Sequence, residues 1–205
     1  MTQTLIDPRM FNTAQALGAH DGSALTGLAV DMVQLASSDM TGEPYVDFTD
    51  ITSTYDTYMF VLSSVTRSGA ANVTIRAQLS NNGGSSYHSS GYMHASQAGY
   101  VYSNPGSNHS YGGSYNDSTM VLTYQSVNQG TFSGNIIGYL HNPLDSSNFT
   151  YVQCLNTSIY DVTNDPFCSA TSAGKYNTAE ANDAIRFSLA SGSFASGLFQ
   201  MYGIK

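Results

Sequence analysis

Tryptophan is absent from this 205-residue chain, and charge is scarce. Six Lys and Arg and 14 Asp and Glu make up 10% of the residues, where an average soluble protein has about 25%. Long amphipathic helices need Lys, Glu, Arg and Leu, so the shortage argues against a helical protein. The balance of −8 at pH 7 excludes a nucleic-acid binder, which needs a basic patch to displace counterions. No run of 18 apolar residues occurs, so no membrane-spanning helix is expected. The opening MTQTLIDPRMFNTAQ lacks a basic stretch followed by an apolar one, so no signal peptide is expected there.

Cysteine is nearly missing as well. Cys154 and Cys168 read either as free thiols of a protein made in a reducing cytoplasm or as a disulfide across neighbouring strands. Zinc would need more Cys or His at ligand spacing. The spacings of His88, His94 and His109 fit no helical ligand motif, and Asp161 with Asp165 is too thin for calcium. No metal and no cofactor are therefore expected. The chain has no G-x-S-x-G, no H-E-x-x-H, no phosphate loop and no dinucleotide fingerprint. The expectation is a protein that is not an enzyme.

What the chain has instead is Ser, Thr, Asn, Gly and Tyr, a composition suited to strands, turns and surfaces that interact through hydrogen bonds and aromatic faces. Aromatics divide it sharply. Residues 1–44 hold one, Phe11, of the 15 Tyr and 9 Phe. That segment reads as an extended N-terminal arm, with a disordered tail as the alternative, and Leu17, Leu25, Leu28 and Val30 are its candidate docking contacts. Residues 45–205 read as one β-sandwich.

Strands are expected at Tyr45–Ile51, Thr57–Thr66, Asn72–Ser80, Thr119–Gln125, Gly130–Leu140, Asn148–Leu155 and, more weakly, Ser158–Val162. Thr57–Thr66 and Asn72–Ser80, joined across Gly69, read as a hairpin. Asn81-Asn82-Gly83-Gly84 is a tight turn, and His141–Ser147 a hairpin loop. Ala179–Asp183 is the only helix-like stretch. The last segment, NDAIRFSLASGSFASGLFQMYGIK, reads as two strands joined by a Gly/Ser turn. In the first, Ile185, Phe187 and Leu189 alternate with polar residues. The second, Gly197–Ile204, is apolar enough for burial on both faces, so the chain is expected to end inside the core. Many short strands between turns predict an all-β, antiparallel sandwich of jelly-roll type.

Four pieces, YVDFTDITSTYDTYMFVL, RAQLSNNGGSSY, GNIIGYLHNP and the closing segment, resemble small tail-fibre-like and virion-surface proteins of bacteriophages, particularly marine ones. Those carry an I-x-S-T-Y-D-x-Y entry, an S-x-D-G-G-S-x-Y turn and a G-x-F-x-x-G-x-x-x-x-Y-G end. The resemblance covers residues 45–205 with a poor match between 93 and 118, and Asn82 stands where the turn's Asp is expected. LGAHDGSALTGLAV is similar to phage-fibre connectors. The resemblance implies a structural or attachment role in the virion, often as a homotrimer, docked on other tail or capsid proteins and contacting the host surface. A capsid decoration protein that stabilises heads and a soluble lectin-like glycan-binding module remain alternatives.

The segment 87–115 is the best candidate for recognition. Tyr87, Tyr92, Tyr100, Tyr102, Tyr111 and Tyr115, with His88, His94 and His109, stand among Ser, Gly and Asn. Binding loops use this mixture because Tyr gives broad, stiff contact area, and stacked aromatics with Asn and His suit sugar rings. It reads as a long surface excursion that touches a receptor glycan or a neighbouring subunit, or as a plain loop. Tyr55, Asp56 and Tyr58 read as residues that shape the entry to a central strand.

Overall fold

The computed structural model describes residues 32–69, 73–102, 106–123, 134–159 and 167–205. Twelve strands run through them and no helix. An eight-stranded sheet is built from β1 (Met32–Asp39), β3 (Thr57–Arg67), β5 (Tyr92–Val101), β6 (Ser107–Asp117), β8 (Gly134–His141), β9 (Tyr151–Ile159), β10 (Phe167–Tyr176) and β12 (Phe194–Ile204). Its order is β1-β12-β3-β8-β9-β10-β5-β6. A smaller sheet, ordered β2-β11-β4-β7, contains β2 (Tyr45–Phe48), β4 (Ile75–Ser80), β7 (Met120–Val121) and β11 (Ala184–Leu189). Every pairing is antiparallel.

The two sheets pack face to face because the central strands alternate. In β3, Tyr58, Phe60 and Leu62 are buried while their neighbours are not; in β11, Ile185, Phe187 and Leu189 are buried. Phe60 meets Phe187 across the sandwich with ring centroids 4.7 Å apart, and Phe187 meets Phe199 of β12 at 5.6 Å. Gly138 of β8 leaves the room that the Phe60 ring occupies. A Cβ there would overlap that ring and lie 2.8 Å from the Cys154 Cβ.

Several expectations change. The hairpin between Thr57–Thr66 and Asn72–Ser80 does not form: β3 pairs with β12 and β8, and β4 with β11 and β7. A turn of suitable length is compatible with either hairpin or crossover, and here the inter-sheet core decides. β11 and β12 likewise lie in opposite sheets. β12 buries Phe199 and Met201 but turns Leu198, Tyr202 and Ile204 outward, so only one face is in the core. Residues 92–101 and 107–117 are strands, the edge hairpin β5–β6, rather than a loop excursion. Ala179–Asp183 is irregular. Of the expected arm, residues 32–39 are the edge strand β1 paired with β12. Leu17, Leu25, Leu28 and Val30, like Asp161 and Asp165, lie outside the described residues.

The loop reading of 141–147 agrees with the structure, joining β8 to β9. So does the Asn82-Gly83-Gly84 turn, where both glycines have positive φ. The entry segment also works as expected. The Tyr58 hydroxyl accepts from the Thr52 amide at 2.7 Å and donates to the Thr52 carbonyl at 2.8 Å, and the Asp56 carbonyl accepts from the Asn142 amide. Tyr55 lies flat over Gly203, where a Cβ would be 2.5 Å from the ring. The entry motif and the closing motif thus pack on one another.

Candidate functional site

The aromatic segment singled out above divides by environment. Tyr87, in the 81–91 loop, covers one side of the Arg186 guanidinium at 4.1 Å, with Tyr45 on the other side at 3.6 Å. The Arg186 fork donates to both Asp47 oxygens at 2.7 Å. Both faces and the fork of this arginine are thereby used, and Tyr87 is a clamp on the small sheet. His88 stacks on Tyr176, ring centroids 4.3 Å apart, and its Nε2 lies 3.0 Å from the Asn182 Oδ1. Tyr92 is buried in the core, its hydroxyl accepting from the Leu79 amide at 2.7 Å. Tyr100 is buried with Ala98, Cys168 and Ala170, and Tyr102 packs on that cluster.

His94 is half-buried on the inner face of β5. Burial pushes its imidazole below the ordinary histidine range and Arg76 adds to this, while Asp117 opposes it. Asp117 is itself held below the usual carboxylate range: partial burial is outweighed by the Ser118 amide and by His94. A histidine favoured as neutral in the fold contributes stability that is full above its unfolded pKa of about 6.5 and is lost as pH falls below it. The expected result is a lower Tm at about pH 5.5 than at about pH 7.5, with a smaller difference in His94→Gln, read by calorimetry. Equal pH slopes in the two proteins would show that His94 carries none of it.

His109, Tyr111 and Tyr115 remain. Tyr111 and Tyr115 are about 70% exposed, at 70% and 71%. His109 and Tyr111 sit two residues apart on one side of β6, their rings 5.7 Å apart and edge-on. The register places what lies opposite. Tyr111 pairs with Gln97 of β5, Gln97 with Thr171 of β10, and Thr171 with Leu155 of β9. One row along the strands, Ala95, Ala173 and Gln153 follow. Small residues on β10 and β5 therefore form a floor between the rings of β6 and the larger side chains of β9. Two adjoining depressions of ≈ 360 and ≈ 460 Å³ lie on this floor, with His109 and Tyr111 lining the first and Tyr111, Gln153 and Thr171 the second. Neither is lined by a carboxylate, a lysine or an arginine.

Gln97, Gln153 and Thr171 were not legible as site residues. Strand alternation puts each on a solvent face, but which strands lie side by side is a property of the assembled sheet. Among the described residues no group of three or more His, Cys, Asp or Glu is placed to hold a metal ion. Cys154 and Cys168 are free and buried, in keeping with the thiol reading; burial pushes the Cys154 thiol up to about 12.

No family model, curated protein or solved structure matches this chain.

Proposed function

We propose that the chain is a non-enzymatic structural protein of a bacteriophage virion, of the tail-fibre or appendage type, with a sandwich of jelly-roll class. Its first residues dock it on other virion proteins, and the groove beside β6 meets a glycan of the host surface. One observation carries the recognition half of this reading: aromatic rings, amides and hydroxyls converge on a floor of small residues. A sugar ring offers C–H faces to Tyr111 and hydroxyl edges to Gln97, Gln153 and Thr171, and such a site needs shape and a few directed polar groups more than charge. The virion half rests on the sequence motifs. Tyr55 on Gly203 and Tyr87 on Arg186 give two of them a structural reason.

The test is mass spectrometry of purified particles of the phage that encodes the chain. The chain is expected there in stoichiometric amount with the other appendage proteins; a chain confined to the soluble lysate would refute the virion role.

A further inference from the structure

Beyond the groove, the outer face of the large sheet continues over β9, β8, β3, β12 and β1, and its character changes. Two neighbouring rows in the ladder run from β1 to β9 as Ser37, Gln200, Val61, Ile137, Leu155 and Gln34, Tyr202, Met59, Tyr139, Gln153, with their apolar side chains adjoining over β3 and β8. Ile137 is 49% exposed and Leu155 62%. Taking the whole outer face, groove included, all the large apolar side chains exposed among the described residues lie on it except Tyr45 and Tyr115. A monomer scatters such groups singly, and their collection on one face marks an interaction surface.

From these rows we infer that the face of β1, β12, β3, β8 and β9 is closed by a second copy of this chain. Charge selects the partner. The chain carries −8, so copies repel over most orientations. On the outward positions of these five strands the one formal charge is Asp39, at the end of β1. Here two copies meet without opposing fields. Area agrees: five strands about 4.8 Å apart and four outward rows about 6.8 Å apart present roughly 600 Å². That is the lower end of what each partner contributes to a stable interface, about 600–1,000 Å². A glycan fits the centre of this face poorly, because Val61, Ile137 and Leu155 offer it neither donor nor acceptor; Gln34, Gln200 and Asn135 stand around that centre. The neighbouring groove over β10, β5 and β6 stays open to a ligand, with Gln153 and Leu155 of β9 on the border between the two.

The inference stands independently of the virion reading, and the experiment separates them. The full chain is followed by light scattering over about two decades of concentration, beside Ile137→Asp and Leu155→Asp. The expected mass is a multiple of one chain, with dissociation promoted about a hundredfold in each variant and unchanged circular dichroism. In Ile137→Cys, a bifunctional maleimide long enough to span the face is expected to join two chains, and no joined species would count against the interface, since Cys154 and Cys168 are buried. That variant reports even if an aspartate prevents folding. A monomer throughout overturns the inference, whether another partner or the chain's own residues 1–31 occupy the face, and so does an oligomer indifferent to both aspartates. A monomer recovered from virions sinks the interface alone; an oligomer absent from virions sinks the virion role alone.

Discussion

Gly138→Ala is expected to destabilise the protein by about 3 kcal/mol, the upper part of the usual overpacking range, and to lower Tm by roughly 6–12 °C for a chain of this size. The added methyl group falls on the Phe60 ring and 2.8 Å from the Cys154 Cβ. Phe60 has nowhere to retreat: it is fully buried, with Phe187 4.7 Å away across the sandwich. Against a total stability of about 5–15 kcal/mol this single methyl group is a large fraction. Its origin is testable by a cycle. Phe60→Leu alone loses ring contacts, but in the double variant Gly138→Ala/Phe60→Leu the clash is relieved, so the two costs sum to more than the double variant shows by at least about 1 kcal/mol. Additive costs, measured by denaturant unfolding, would mean that the strand backbone rather than the ring yields.

Tyr111→Ala is expected to weaken binding of the purified chain to host cells by at least about tenfold, near 1.4 kcal/mol, with Tm shifted by no more than about 2 °C. Its ring is 70% exposed and walls the groove, so truncation removes contact area without opening the core. Tyr100→Ala is the informative contrast. Tyr100 is buried with Cys168 and Ala170, and its loss acts on stability first. Undiminished cell binding by Tyr111→Ala would remove the groove from the recognition role, and a Tm loss as large as that of Tyr100→Ala would place Tyr111 among the structural residues.

The same two tyrosines show how far the sequence carried. Both stand in a Tyr/Ser/Gly/Asn segment, and composition treats them alike. In Tyr92–Val101 the alternation of buried and open positions is weak because Ala, Ser, Gly and Gln fill it, so period alone did not announce a strand. Strong alternation, as in Ile75–Ser80 or Ala184–Leu189, was legible, because large apolar side chains at every second residue have one stable use in a chain this size. The tight turn at Gly83 and Gly84 was legible for a comparable local reason: both residues adopt positive φ, which glycine tolerates without strain.

Pairing was less accessible. Thr57–Arg67 and Ile75–Ser80 have the look of a hairpin, yet Phe60 gains more against Phe187 from the opposite sheet than the short connection gains by folding back. Local properties, which are the strongly alternating strands, the turn at Gly83 and Gly84, the scarcity of charge and the all-β class, were thus determined by the amino-acid sequence itself, since each depends on composition or on neighbours in the chain. Which strands lie side by side, and hence that Tyr111, Gln97, Thr171 and Leu155 form one row that continues through Ile137 and Val61 as an apolar stretch, was decided by the tertiary structure. Those contacts join residues far apart in sequence, and their energy comes from a core that exists only when both sheets have closed.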